Sequence, residues 1–314
     1  MSWARSLADE RLFALEDCRH VSLGLERFLL ERGERVVRVP PKPMGQSRKG
    51  VRSPGKSDAI DALAIARAAV RERELPAAVL SGPEREIKLL LDHREDLVGE
   101  RTRVHNRLRW HLHDLDPELE IPAGGLDRLC WLERIERVLA AREPSAQVRI
   151  AQELVKRSRE LTERANELER ELEQLMRAHA APLLALEGCG TLTAAKVIAE
   201  VAGIERFASD ARLAKHSGTA PLAASSGQQQ RHRLNRHGNR QLNCALHRMA
   251  VNQGRWSERA RAYLARQETA GKSRREALRC LKRHLARTVF VTLKRMEQRR
   301  LEATNTPTPE QALT

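Results

Sequence analysis

Between about Gln147 and His179 the apolar residues Ile150, Leu154, Leu161, Leu168, Leu172 and Leu175 recur close to a three-four spacing, with Glu and Arg filling the positions between them. That period puts one apolar stripe along a single long helix, and such a stripe is stable only when another helix covers it. The pattern is that of a coiled coil, which serves oligomerisation or spaces two domains. An intramolecular helical hairpin would satisfy the same stripe. Either way, the chain is expected to be mainly α.

The N-terminal part reads differently. Arg11-Leu12-Phe13-Ala14-Leu15 is a short apolar run ending at Glu16, and Arg35-Val36-Val37-Arg38-Val39 is a β-branched run stopped by Pro40-Pro41. Between them Leu23, Leu25, Phe28, Leu29 and Leu30 have helical spacing, and Gly33 ends that helix. Strand, helix, strand is the order of a right-handed βαβ unit with parallel strands. Two strands do not make a sheet that stands alone, so this α/β part looks partial.

Residues 42–57 form a basic, turn-rich loop, after which Ser57 or Asp58 caps a helix carrying Ile60, Leu63, Ala64, Ala66 and Ala69. Asp58 and Asp61 fall on one face of its first turn, where they either complement the helix dipole or share a divalent cation. Glu16, at the end of a neighbouring strand, is a third acid beside a basic loop. If the three converge, a magnesium site follows.

From Pro83 to about Asp116 a helix carries arginines that can lie along a nucleic-acid backbone or simply face solvent. Farther on, Leu183 to Val201 reads as helix, tight Gly188-Cys189-Gly190 turn and helix. This is the layout of a helix-hairpin-helix, whose Gly188, Gly190 and following Lys196 would face a phosphate, or of an ordinary αα corner. Leu242, Ala245, Leu246, Met249 and Ala250 restore a helical period, a basic amphipathic helix carries Leu278 to Leu293, and the polar tail after Ala303 reads as disordered.

The stretch Ser225 to Arg240 contains no acidic residue and joins a possible hydroxyl nucleophile to Arg231, Arg233, Arg236 and Arg240. Arginine forks suit phosphate oxygens. The plainer reading is a solvated basic loop with turn-forming Ser and Gly. A net charge of +15 points to a polyanionic partner, and an aromatic content of 3% favours phosphate contacts over base stacking. Cys18, Cys130, Cys189, Cys244 and Cys280 include no C-x-x-C pair, which disfavours a disulfide framework and a zinc site. With no run long enough to span a bilayer and no signal pattern, the expectation is a soluble cytoplasmic chain without a membrane partner.

Lys56-Ser57-Asp58-Ala59-Ile60-Asp61-Ala62, Gly218-Thr219-Ala220-Pro221, Ser225-Ser226-Gly227 and Arg236-His237-Gly238-Asn239 together resemble the DEDD serine transposases of bacterial insertion sequences, the IS one-ten type. The likeness runs from about Leu12 to Arg248. It implies a ribonuclease-H-like (RuvC-like) domain that binds Mg2+, joined by a coiled coil to a small helical domain carrying a serine nucleophile. By matching position Glu16 is the family's second acid, Asp58 and Asp61 the third and fourth, and Ser226 the nucleophile, with Ser225 the alternative. The resemblance further implies action on DNA, both element ends and target, as a homo-oligomer (dimer or tetramer), in several members with a guide or bridge RNA.

The family's first acid lies on a strand that would precede Leu12, and nothing before Glu16 replaces it. The expected domain therefore lacks its first strands, and the chain as it stands is expected to be impaired as a recombinase. The implied division is 1–80 partial RuvC-like domain, 81–180 helical region with coiled coil, 181–265 transposase domain with the serine site, 266–303 basic helix and 304–314 tail. Two rivals remain open: a helical nucleic-acid-binding protein without catalysis, and a RuvC-like metal nuclease.

Overall fold

The computed structural model describes residues 1–16, 19–39, 57–72, 74–78, 82–223, 232–233, 235 and 238–305. Helix α1 (Ser2–Leu7) leads into strand β1 (Leu12–Glu16), helix α2 (Arg19–Leu30) and strand β2 (Arg35–Val39). The two strands pair in parallel, Leu12 opposite Arg35 through Glu16 opposite Val39, as the strand-helix-strand order requires. Gly33 closes α2 in the left-handed region at φ +74, where a Cβ is disfavoured. The far edge of β2 is covered by residues 76–78, through an antiparallel bridge from Val37 to Ala77.

This small unit is held by two apolar clusters and one buried ion pair. Leu29, Val36 and Ala78 pack on one side. Val39 packs with Ala64 and Ala68 of α3 (Asp58–Arg71) on the other. The Arg38 guanidinium forks onto Glu26 of α2, at 2.8 and 2.5 Å. Both residues are buried, and Arg85 also approaches Glu26, at 4.0 Å.

Two long helices follow, α4 (Pro83–Leu115) and α6 (Ala146–Leu184), with α5 (Leu129–Ala140) between them. Contacts between α4 and α6 run in opposite directions: Arg94 bonds Glu169 at 2.7 Å, Arg101 bonds Thr162 at 3.3 Å and His105 meets Ser158 at 2.7 Å. The leucine-rich stripe of α6 is thus covered from within the chain. Of the two arrangements the stripe allows, the intramolecular helical hairpin is the one found within this chain. Leu132, Ile135 and Leu139 of α5 close the outer end of the hairpin against Leu108, Leu112, Ala151 and Val155.

The inner end of the hairpin belongs to the largest core. Ala180 leaves helical geometry (φ −145, ψ 30), breaking α6 just before Pro182. There Ile87, Leu91, Leu172 and Met176 pack with α7 (Thr191–Val201), α8 (Asp210–His216), α9 (Arg240–Trp256), α10 (Glu258–Thr269) and α11 (Arg274–Asn305). Phe207 is fully buried at its centre, a side chain whose burial stabilises by about 2–3 kcal/mol. The basic C-terminal helix is part of this core through Leu281, Leu285 and Val289. The tail from residue 306 lies outside the described residues.

Candidate functional site

Two short strands stand between α8 and α9. β3 (Leu222–Ala223) and β4 (His232–Arg233) pair antiparallel, Leu222 with Arg233 and Ala223 with His232. The chain that joins them carries Ser225, Ser226 and Arg231, which lie outside the described residues, as does Arg236. What the structure describes is how the ends of this segment are held.

Gly218 follows α8 at φ +69, and Gly238 precedes α9. Their backbones touch: a Cβ on Gly238 would lie 2.2 Å from the Gly218 nitrogen and 2.3 Å from its Cα. Only two glycines allow that approach. The Asn239 N–H donates to the His216 carbonyl at 2.6 Å. The Asn235 side chain donates to the Lys215 carbonyl at 3.4 Å. The ends of the segment from 218 to 238 are therefore fixed to the end of α8.

Two asparagines one turn apart on α9 extend this anchor. The Asn239 Oδ1 accepts from the Leu242 N–H at 2.9 Å, capping the helix, and its Nδ2 donates to Glu200 Oε2 at 2.7 Å. Glu200 also lies 3.5 Å from the Lys88 ammonium of α4. Asn243 donates to the Ser217 carbonyl at 2.7 Å and accepts from Lys282 Nζ of α11 at 2.8 Å. Asn239 stood out in the sequence only as the last residue of the Arg236-His237-Gly238-Asn239 motif, and Glu200, Asn243 and Lys282 were given no functional role; the further signal was the i, i+4 spacing of the two asparagines.

Behind this base, the Arg206 guanidinium donates to the carbonyls of Val201 (2.8 Å), Glu200 (3.3 Å) and Glu74, and lies 4.4 Å over the Phe207 ring. Burial lowers its pKa to about 10. His216 packs edge-on to Phe207 at 5.2 Å, and burial, then the Arg206 charge, pushes it down to about 4, so its ring is neutral near pH 7. Arg212 of α8 pairs with Glu74 at 3.5 Å. The segment that follows α3 is thus clamped to the α7–α8 region, which joins the acid-bearing unit to the hairpin-bearing one. A cavity of about 530 Å3 lies at this junction, lined among others by Arg38, Lys88, Glu200, Arg206, His216 and Asn239.

The acids stand on contacting elements. Glu16 ends β1 opposite Val39, and α3 packs its Ala64 and Ala68 on Val39. Ser57, not Asp58, caps α3, accepting the Ile60 N–H at 3.3 Å. Asp58 is exposed and Asp61 half-buried in that first turn. Yet among the described residues no three His, Cys, Asp or Glu side chains are grouped so as to hold a metal ion. As the side chains stand, Glu16, Asp58 and Asp61 do not make up the converged magnesium site expected from sequence.

The Gly-x-Gly turn has a structural role beside the expected phosphate contacts. Gly188 (φ +72) backs onto α9, where a Cβ would sit 3.1 Å from the Met249 carbonyl and 3.1 Å from Asn252 Cβ. Its backbone conformation and this packing account for the glycine. Gly190 is the N-cap of α7 and faces open space. Lys196 is a correction: it is buried, with its ammonium 2.5 Å from Glu95 of α4, and serves the helix packing and not a surface phosphate. Arg94 and Arg101 of the basic helix are likewise engaged inside the molecule, Arg101 with Asp127 at 2.9 Å. Arg240 is exposed at the first turn of α9, next to the base of the hairpin.

Two family models match the chain. The DEDD transposase model of the IS110 type covers residues 1–117, and the model described as transposase IS116/IS110/IS902 family covers residues 180–265. The second takes in the whole glycine-locked hairpin. Among curated relatives, the chain is 26% identical over 265 residues to the "Insertion element IS116 uncharacterized 44.8 kDa protein" of Streptomyces clavuligerus, covering 70% of this chain and 66% of the relative. It is 28% identical over 291 residues to the "Insertion element IS110 uncharacterized 43.6 kDa protein" of Streptomyces coelicolor (76% and 71%). It is 29% identical over 225 residues to a "Probable family 20 transposase" of Pseudomonas aeruginosa (70% and 64%). The chain thus spans about two thirds of the length of these relatives.

Proposed function

The chain belongs to the IS116/IS110/IS902 transposase family, and from that premise we propose that it takes part in DNA strand transfer through a serine nucleophile carried between β3 and β4. The observation that supports this most is the Gly218–Gly238 contact, which fixes both ends of the segment holding Ser225 and Ser226. In the first step the Ser226 hydroxyl oxygen attacks a DNA phosphorus. The new P–O bond forms as the bond to one DNA oxygen breaks, and that oxygen leaves with the proton. In the second, a DNA hydroxyl attacks the phosphoserine ester, the P–Oγ bond breaks, and serine regains a proton. Arg231, Arg233, Arg236 and Arg240 bind the flanking phosphates.

Glu16, Asp58 and Asp61 are the side chains this chain offers to a divalent cation, Mg2+ by family resemblance. Since they are not gathered into a ligand set here, no step is assigned to it. We assign residues 1–80 to a RuvC-like part, 81–180 to the helical hairpin, 181–265 to the serine-bearing part with its helix-hairpin-helix turn, and 266–303 to the helix completing its core. Substrates are insertion-sequence ends and target DNA, with a guide RNA and a second copy of the chain as partners. Among the described residues no helix is long and apolar enough to cross a membrane, in keeping with the cytoplasm as the site of action.

Ser226→Ala tests the reading against its rivals. The proposal expects loss of a covalent protein–DNA adduct with DNA binding kept; an adduct that persists assigns the chemistry elsewhere. One rival is a nucleic-acid-binding protein without catalysis. That rival expects neither adduct nor cleavage from the wild-type chain. Magnesium-dependent cleavage that survives S226A would instead identify a metal nuclease.

A further inference from the structure

Lys282 is a cation in an unusual place. It lies on α11, it is buried with 7% of its surface exposed, and its ammonium donates to Asn243 Oδ1 at 2.8 Å. Among the described residues no carboxylate pairs with it, whereas the buried Lys196 has Glu95 and Arg38 has Glu26. A buried cation held by one neutral amide is costly, because the amide supplies far less than the water removed. In a chain of net charge +15 the cost is offset when an anion binds.

Cationic and neutral side chains surround it. Arg240, Asn243 and His247 follow one another at i, i+3 and i+7 along α9, the helix that packs on α11. Burial and then Arg279, one turn before it, depress the Lys282 pKa while the Cys244 thiol of α9 raises it, and burial and then Lys282 lower that of His247. Arg279 is itself paired with Glu276 at 3.4 Å, and the next cation on α11, Arg283, with Asp210 at 3.0 Å. Among the described residues Lys282 is thus a buried cation on this helix with no acid in an ion pair with it. It also sits beneath the hairpin base, because the Asn243 that accepts its proton donates to the Ser217 carbonyl beside Gly218.

We infer that the seam where α9 packs on α11, at the foot of the β3–β4 hairpin, binds a nucleic-acid backbone phosphate with Lys282 as its central cation and Arg240 at its rim. The inference rests on the reading of the hairpin as the DNA-facing part. Asn243 leaves the other ammonium protons of Lys282 for the phosphate oxygens and holds the side chain in place before they arrive. The strand would then enter the hairpin from the α11 side.

Binding of a fluorescein-labelled mixed-sequence DNA duplex, followed by anisotropy over a series of KCl concentrations, tests it with the full chain. Each phosphate contact adds about 0.9 to the slope of log K against log salt. Lys282→Gln is expected to lose about that much slope and Lys282→Arg to keep it, with both variants folded by circular dichroism. A structural lysine would lower the melting temperature and leave the slope alone, and a K282Q slope equal to wild type overturns the inference. If K282Q does not fold, Arg240→Gln carries the test, since Arg240 is exposed: an unchanged slope there overturns the inference. A wild-type chain that binds no duplex at any salt overturns the DNA reading and this inference together.

Discussion

Gly238→Ala puts the anchoring of the hairpin to a quantitative test. The added methyl would stand 2.2 Å from the Gly218 nitrogen and 2.8 Å from the Ser217 carbonyl carbon, where ordinary contact begins at 3.4 Å. Both clashing atoms are backbone, so the two chains must separate by about 1 Å, a shift larger than a rotamer change can absorb. Separation stretches the 2.6 Å bond from the Asn239 N–H to the His216 carbonyl and the 2.7 Å bond from Asn243 to the Ser217 carbonyl. With overpacking at roughly 1–3 kcal/mol and about 1 kcal/mol for each of the two weakened bonds, the hairpin base loses about 3–5 kcal/mol. At about 1.4 kcal/mol per factor of ten, native-state hydrogen exchange at the Asn239 amide should quicken by at least about a hundredfold. Gly24→Ala is the control: it lies inside α2 with nothing within 4 Å of the new methyl, and should stabilise by about 0.5–1 kcal/mol. A G238A chain with unchanged exchange at Asn239 would refute the close approach and the anchor built on it.

Three further outcomes follow from the same geometry. Lys196→Ala should lower stability by roughly 1–2 kcal/mol, discounted because Glu95 is 39% exposed, and leave duplex affinity unaltered; a loss of affinity would return Lys196 to the DNA surface. His216 titrates at about 4 when folded against 6.5 for a free imidazole, so below pH 6.5 the unfolded chain takes up a proton that the folded chain refuses. Stability should therefore fall from pH 6.5 towards 4, with a slope approaching about 1.4 kcal/mol per unit, and level off below. Urea midpoints at pH 7 and 5 should show a smaller loss in His216→Gln. Finally, Cys189 is buried and burial pushes its thiol up to about 12, whereas Cys130 and Cys244 are exposed. Iodoacetamide at pH 8 should label the latter two in the folded chain and reach Cys189 only after unfolding, as peptide mass spectrometry would show.

What the sequence made legible was local. The order of short apolar runs placed β1 and β2 and their parallel order, Ser57-Asp58 marked the start of α3 without deciding which residue caps it, and the leucine spacing marked α6. The direction of the α6 partner was not local. Its stripe is equally content with another chain or with α4, and what settles the matter is a set of pairs such as His105 with Ser158, far apart in sequence. Lys196 shows the same limit from the other side. A lysine after a Gly-x-Gly turn looks like a phosphate ligand until Glu95 arrives from another helix. In the candidate site the motif glycines Gly218 and Gly238 stood out, but that they touch each other is a tertiary fact, as is the hold of Glu200 on Asn239. Of the three acids, the spacing of Asp58 and Asp61 on one helical turn was legible, while the position of Glu16 relative to them depends on tertiary packing.

The central claim is that the segment held between Gly218 and Gly238 carries the nucleophile. Its most direct test is to incubate the chain with insertion-element end DNA, digest the DNA with nuclease, and map any residual nucleotide by mass spectrometry of the peptides. The account predicts a nucleotide remnant on Ser226. Strand cleavage that leaves no remnant on the protein, or a remnant on a residue outside 218–238, would contradict it.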